Sequence, residues 1–201
     1  MKKILYSVAL ATCCMGTMTS CSDFLDASNK SNVTAKQSFA TKEGLNNLVN
    51  NAYQHLQNVY AAPLFTSCFS AGTDMYADAR NKMNEALNTY ETLTPENTDI
   101  KNLYTYLYSG IRAANSVSYY AQTAQVDEKT KGQLVGEARV LAAYEYYLLV
   151  NNFGGVPIMK DFLTTADTGY PKSSAADVYA YIISELEDVI SKNVLQASTA
   201  T

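Results

Sequence analysis

Apolar positions recur along this chain at the three- and four-residue spacing of helix faces. Leu45, Leu48, Val49, Ala52, Leu56 and Val59 form the first such stripe. It predicts a helix with Thr41 as its N-cap, stopped by Ala61-Ala62-Pro63. Residues 63–94 lose the period and turn polar, apart from a short helical run expected around Lys82–Leu87. A loop that long inside a compact domain is usually functional or mobile.

The period returns at Thr94-Pro95-Glu96. A capping residue, a proline suited to the first helical position and an acid in the first turn favour a helix start there. The stripe that follows is Ile100, Leu103, Leu107, Ile111, Ala114 and Val117, with Tyr104 and Tyr108 alongside. Gly110 costs this helix about 1 kcal/mol relative to alanine, but lets a neighbouring helix approach closely.

A break at Val126-Asp127 precedes a third helix over 128–153, where only Glu137, Arg139 and Glu145 interrupt the apolar run 135–150. So wide a stripe belongs to a helix covered on more than one side. Glu137 and Arg139 are therefore expected to be structural, paired with neighbours or backbone carbonyls. Gly154-Gly155 supplies the C-terminal turn, and Val156 before Pro157 must run extended. A fourth helix opens at Ser173/Ser174, with Asp177 closing a capping-box pattern. Its apolar face holds Val178, Tyr179, Ile182, Ile183, Leu186, Val189 and Ile190. The fold class read from these stripes is all-α, an array of helical hairpins.

Composition agrees. The 201 residues suit one domain or a piece of a larger one, and 47% apolar against 17% charged residues can bury a core. Four Pro and nine Gly are few for the turns of an all-β sandwich. A net charge of −4 argues against a nucleic-acid partner, which needs a basic surface. Tyrosine is the outlier, at 16 residues against six Phe and no Trp. Most of the helix-borne Tyr104, Tyr108, Tyr119, Tyr144, Tyr146 and Tyr147 are expected in the helix–helix core, each hydroxyl finding a partner.

The N-terminus reads as a delivery signal. Met1-Lys2-Lys3 is a basic start, Ile4–Ala11 is apolar apart from Ser7, and small residues follow up to Ser20. Residues 1–20 are thus expected to be a secretory signal peptide, too short to span a membrane. Met18-Thr19-Ser20-Cys21 resembles the bacterial lipoprotein processing box, with Met18 where Leu is usual. Cys21 is the expected lipidation site; Cys13 and Cys14 would leave too short an apolar region, and an ordinary signal peptide cut nearby is the alternative. Residues 21–40 are expected to form a lipidated tether, tying the chain to a membrane by its lipid. Cys68, without a basic neighbour in sequence, reads as a small core residue and not as a reactive thiol.

Candidate chemistry is sparse. His55 is the lone histidine, so neither a histidine-pair metal site nor a Ser-His-Asp triad is supported. Asp74 and Asp78 would face the same way if helical, and Glu85 follows, but paired acids catalyse glycoside hydrolysis only at a fixed separation. No enzyme activity, metal or cofactor is expected. The 63–94 loop mixes rings with polar groups, which suits sugars: C–H faces stack on aromatic rings while hydroxyls take hydrogen bonds. The expected ligand site there is Asp74 and Arg80 on ligand hydroxyls, with Tyr76 or Tyr90 as the stacking face. The alternative is a solvated loop that packs on another part of a longer protein or on a partner.

In order, these segments resemble the SusD/RagB family of outer-membrane nutrient-binding lipoproteins. The resemblance runs through Cys21-Ser22-Asp23-Phe24-Leu25-Asp26, Phe39-Ala40-Thr41, the Asp74 loop, and Tyr104–Asn115, which looks like the family's "W…YxxIxxAN" helix. Most specific is Gly136–Pro157 (GEARVLAAYEYYLLVNNFGGVP), similar to "EARFLRAxxYFxLVxxFGxVPL", followed by Pro171-Lys172-Ser173-Ser174. Tyr104 stands where Trp is common, Ala142 where Arg is, and Gly155 where Asp is. The match covers the N-terminal part of a usual member, so 41–201 is expected to be a SusD-like helical domain without its C-terminal half. The resemblance implies a tetratricopeptide-like scaffold, a TonB-dependent SusC-like porin as partner, and capture of oligo- or polysaccharide at the outer membrane. A helical protein-interaction module that binds no glycan is the rival reading.

Overall fold

The computed structural model describes residues 34–61, 63–76, 85–165 and 169–195. The expected signal peptide, Cys21, Asp78 and Arg80 lie outside the described residues. The described residues from Ala35 onward form one compact unit of seven helices. They are α1 (Ala35–Ser38), α2 (Lys42–Tyr60), α3 (Leu64–Phe69), α4 (Glu85–Thr89), α5 (Thr98–Ala121), α6 (Glu128–Phe153) and α7 (Ala175–Ser191). The fold is all-α, as the periodicity predicts.

Helix ends follow local capping chemistry. Thr41 accepts the Gly44 N–H at 3.1 Å, and Asp127 accepts that of Thr130 at 2.9 Å. Ser174 and Asp177 form a full capping box at the start of α7. Gly154 takes a φ of +71° and returns its N–H to Val150, closing α6 as glycine does in the left-handed region. The start of α5 corrects the sequence reading. Asn97 is its N-cap, accepting from the N–H groups of Asp99 and Ile100 at 3.0 and 3.2 Å. Thr94-Pro95-Glu96-Asn97 is a turn closed by the Asn97 N–H on the Thr94 carbonyl, with proline at the turn position it favours. A second correction concerns 63–94: the short helix expected around Lys82–Leu87 is present as α4, with Leu87 buried, but the segment also holds α3, on which Leu64 and Ser67 are buried.

Contacts between helices give the topology. Tyr53 meets Glu137 and Tyr60 meets Tyr144, so α2 and α6 run parallel. Tyr108 lies against Tyr146 and Tyr104 against Phe153, so α5 runs antiparallel to α6. Arg139 reaches Glu185, and Tyr179 reaches Asn151, so α7 returns antiparallel along α6. The result is two successive helical hairpins, α2/α5 and α6/α7, with α6 touching all three neighbours. That contact explains its apolar residues on several sides.

One core region joins Leu45, Leu48, Val49 and Ala52 of α2 to Ala113, Ala114 and Val117 of α5 and Ala138 and Leu141 of α6. Small residues there let the backbones approach. The other is built on Leu107, Ile111, Tyr146, Leu149, Val178 and Ile182. Glu137 and Arg139 are both paired with neighbours, as expected. The Tyr53 hydroxyl donates to Glu137 at 2.7 Å, while Arg139 forks to Glu185 at 2.7 Å and to Asp188.

The tyrosine expectation fails in part. Tyr146 is fully buried, its hydroxyl donating to the Met159 carbonyl and accepting the Met159 N–H, and half-buried Tyr108 donates to Pro157. Tyr104, Tyr119, Tyr144 and Tyr147 are 36–48% exposed. A helical period places a ring on a face but does not say which faces acquire neighbours. Here Tyr144, its hydroxyl on that of Tyr60 of α2, stacks with Tyr147.

Candidate functional site

The described residues between α2 and α5 come together at one glycine and one tyrosine. Gly72, at φ +73°, donates its N–H to Asn88 Oδ1 of α4 at 3.4 Å, and its carbonyl accepts the Tyr90 hydroxyl at 3.5 Å. A side chain at Gly72 would collide with the Tyr90 ring. Tyr90 itself has φ +63°. Holding a bulky residue there costs roughly 1–3 kcal/mol, strain that persists where surrounding structure enforces it and that clusters at functional sites.

Beyond Gly72 the chain makes a tight turn, Thr73 to Tyr76, closed by the Tyr76 N–H on the Thr73 carbonyl at 3.4 Å. Asp74 and Met75 form its apex, and Met75 is almost wholly exposed. The paired-acid idea loses its geometry, since Asp74 lies in a turn and not on a helix. The Tyr90 hydroxyl thus meets the chain at Gly72, just before the turn that carries Asp74 and Tyr76, and Tyr76 and Tyr90 are 36% and 59% exposed.

Behind Tyr90 lies a cavity of about 310 Å³. Its walls combine Cys68 of α3 and Leu87 of α4 with Ile100 and Leu103 of α5 and Asn152 and Phe153 of α6. Tyr104 stands edge-on to Phe153, with centroids 5.1 Å apart, so a further partly exposed ring borders this region. Burial first, and then the Asp99 charge, push the Cys68 thiol up to about 11. It stays protonated at neutral pH, in keeping with a core role and not a nucleophilic one. The distant walls were not legible in the sequence. For Tyr104 the one signal was its place where the resembled family commonly has Trp.

His55 sits on α2 with Nδ1 buried and without a hydrogen-bond partner, and burial lowers its pKa, so the ring is neutral at pH 7. Among the described residues no group of three or more His, Cys, Asp or Glu is placed to hold a metal ion. No helix among them is long and apolar enough to cross a membrane.

Comparison with known proteins bears on the fold and the family. SusD-like protein P38 of Formosa agariphila is 28% identical over 190 residues, covering 92% of this chain. Surface glycan-binding protein A from Bacteroides uniformis superposes with a TM-score of 0.67 at 26% identity over 79% of the chain. A SusD superfamily protein from Bacteroides vulgatus shares the fold with a TM-score of 0.68 at 17% identity, again over 79%. This chain spans only 36% of the length of each of the three. Residues 23–198 match the SusD-like family described as starch-binding and associating with the outer membrane, and to that family the chain belongs.

Proposed function

We propose that this chain is the N-terminal helical portion of a non-enzymatic, surface-exposed glycan-binding lipoprotein, working with a TonB-dependent SusC-like porin in uptake. The observation that carries the reading is the strained, ring-bearing loop assembly over the cavity behind Tyr90, in a chain of a starch-binding family. Asp74 and Arg80 supply polar contacts to sugar hydroxyls, and Tyr76 and Tyr90 supply the stacking faces. Affinity electrophoresis against a panel of polysaccharides tests it. The double variant Tyr76→Ala/Tyr90→Ala is expected to weaken binding at least about tenfold, which corresponds to about 1.4 kcal/mol. Unchanged retardation on every retained polysaccharide would move the site elsewhere.

A second reading, a protein-interaction module without glycan binding, has its own observation. Tyr53, Tyr60, Tyr144 and Tyr147 are 38–48% exposed along the α2–α6 face. Retardation by no polysaccharide, together with stable capture of the porin, would favour it.

Localisation rests on the first 21 residues. A basic, then apolar, then small-residue run ending in Cys21 supports lipid attachment there, with the lipid holding the protein at the outer membrane. Cys21→Ala is expected to abolish incorporation of labelled fatty acid and to release the protein from the membrane fraction. A variant that still partitions with membranes would exclude this anchor.

A further inference from the structure

The extended segment after α6 folds back over α5, and a cavity of about 280 Å³ lies between the two. Tyr108 and Tyr146 hold this segment at Pro157 and Met159, and Asn115 of α5 donates to the Met159 carbonyl at 2.8 Å. The cavity is therefore built between a rigid helix and a strap fixed by three side chains. Its floor is apolar, from Ile111, Met159 and Leu163.

Two charged side chains line it, Arg112 from the helix and Asp161 from the strap. Among the described residues neither forms an ion pair, although Arg139, Lys131 and Lys192 all do. The Arg112 guanidinium is instead propped over the Phe162 ring at 5.6 Å, which leaves its donors for a ligand. Thr164 and Thr165 add hydroxyl groups at the rim.

An unpaired planar guanidinium suits a carboxylate, which it grips with two parallel hydrogen bonds. A carboxylate such as Asp161 accepts hydrogen bonds and donates none, so it suits hydroxyl groups. The apolar floor suits the C–H face of a small ring. A neutral sugar would leave the cation unmatched, and a doubly charged phosphate would set its second charge against Asp161. A volume near 280 Å³ fits a ligand of about one ring, at the small end of ligand pockets.

We propose that this cavity binds a hydroxylated carboxylate, a sugar acid, with Arg112 on the carboxylate and Asp161 on the hydroxyls. Two sources share that chemistry: a uronate residue within a glycan chain and a free sugar acid. The site shares no residue with the loop around Tyr76 and Tyr90, and stands if that loop binds nothing.

Calorimetry on the whole chain tests it, with D-glucuronate, trigalacturonate, D-glucose and glucose 6-phosphate as probes. Both acids are expected to bind at least tenfold more tightly than glucose or the phosphate, and more weakly as salt rises. Arg112→Gln should cost at least tenfold, and Arg112→Lys less. Because Arg112 is exposed, both variants should keep the parent's helical circular dichroism and melting point. Tyr76→Ala/Tyr90→Ala should leave acid binding unchanged, which separates this site from the loop site. Preference for trigalacturonate identifies a glycan source, and preference for glucuronate a free acid. Equal binding of glucose and glucuronate, no binding of either acid at millimolar concentration, or full affinity in Arg112→Gln would overturn the proposal.

Discussion

Arg139→Ala should lower the stability of this domain by about 2–3 kcal/mol, a fall in Tm of roughly 5–10 °C for a chain of this size. Arg139 lies on α6 with its side chain 22% exposed, and it donates from two nitrogens to two acids of α7. Glu185 and Asp188 are three residues apart, on one face and one turn of that helix. The guanidinium between them joins the second hairpin and also neutralises two like charges held close together. Removing it loses two charge-assisted hydrogen bonds and leaves the acids facing each other, with only Lys192 still paired to Asp188 at 2.7 Å. Partial exposure keeps the loss below that of a fully buried pair. Arg139→Lys should rescue little, since an ammonium does not present the fork that spans both carboxylates. Thermal melts followed by circular dichroism check this. A variant with the parent's Tm but weakened glycan binding would instead place Arg139 in the ligand site.

The same residue shows what a sequence can disclose. A charge inside an apolar run announces a structural partner, but only the fold says that the partner is α7. Caps were legible because they are local: Thr41 and the Ser174–Asp177 box each act within three residues of themselves. The start of α5 was misplaced because Thr94-Pro95 serves a turn as well as a helix, and Asn97 then caps more completely. Helix α3, six residues long, is shorter than the window over which a period can be measured.

The candidate site divides in the same way. Its loop was visible as lost periodicity, but the contact of Gly72 with Tyr90 that ties the two ends of it together was not. The cavity behind it was not, because Ile100, Leu103, Asn152 and Phe153 arrive from two other helices. The second cavity was hidden for a like reason, since Arg112 and Asp161 are joined only by the returning strap.

Stability should fall as pH rises from 7 to 8, and Glu145→Gln should remove most of that slope. Glu145 is wholly buried on α6, and neither carboxylate oxygen has a hydrogen-bond partner. It fits because Gly110 of α5 has no side chain; a methyl group there would overlap the carboxyl. Burial alone pushes its pKa up to about 9, so the group is neutral in the folded protein at pH 7. In the unfolded chain the same carboxyl ionises near its ordinary value of about 4.3. Between these values the folded state holds a proton that the unfolded state has released. The stability linked to that proton is complete below about 4.3 and is lost as pH climbs towards 9. The slope is on the order of 1 kcal/mol per pH unit. The interval from 7 to 8 isolates it. His55, its pKa lowered by burial, affects stability chiefly below the ordinary histidine value of about 6.5, whereas Cys68 acts in the same direction as Glu145 but only from about 8.5 upward. Glu145→Met, similar in volume and without a polar group, should also flatten the profile and be more stable than the parent at pH 8. Gly110→Ala should destabilise the parent more than it does Glu145→Ala, since the small side chain clears the space that the methyl group needs. A parent Tm that holds level from pH 7 to 8, or an equal slope in Glu145→Gln, would mean that the buried carboxyl finds a partner or opens to water when it ionises.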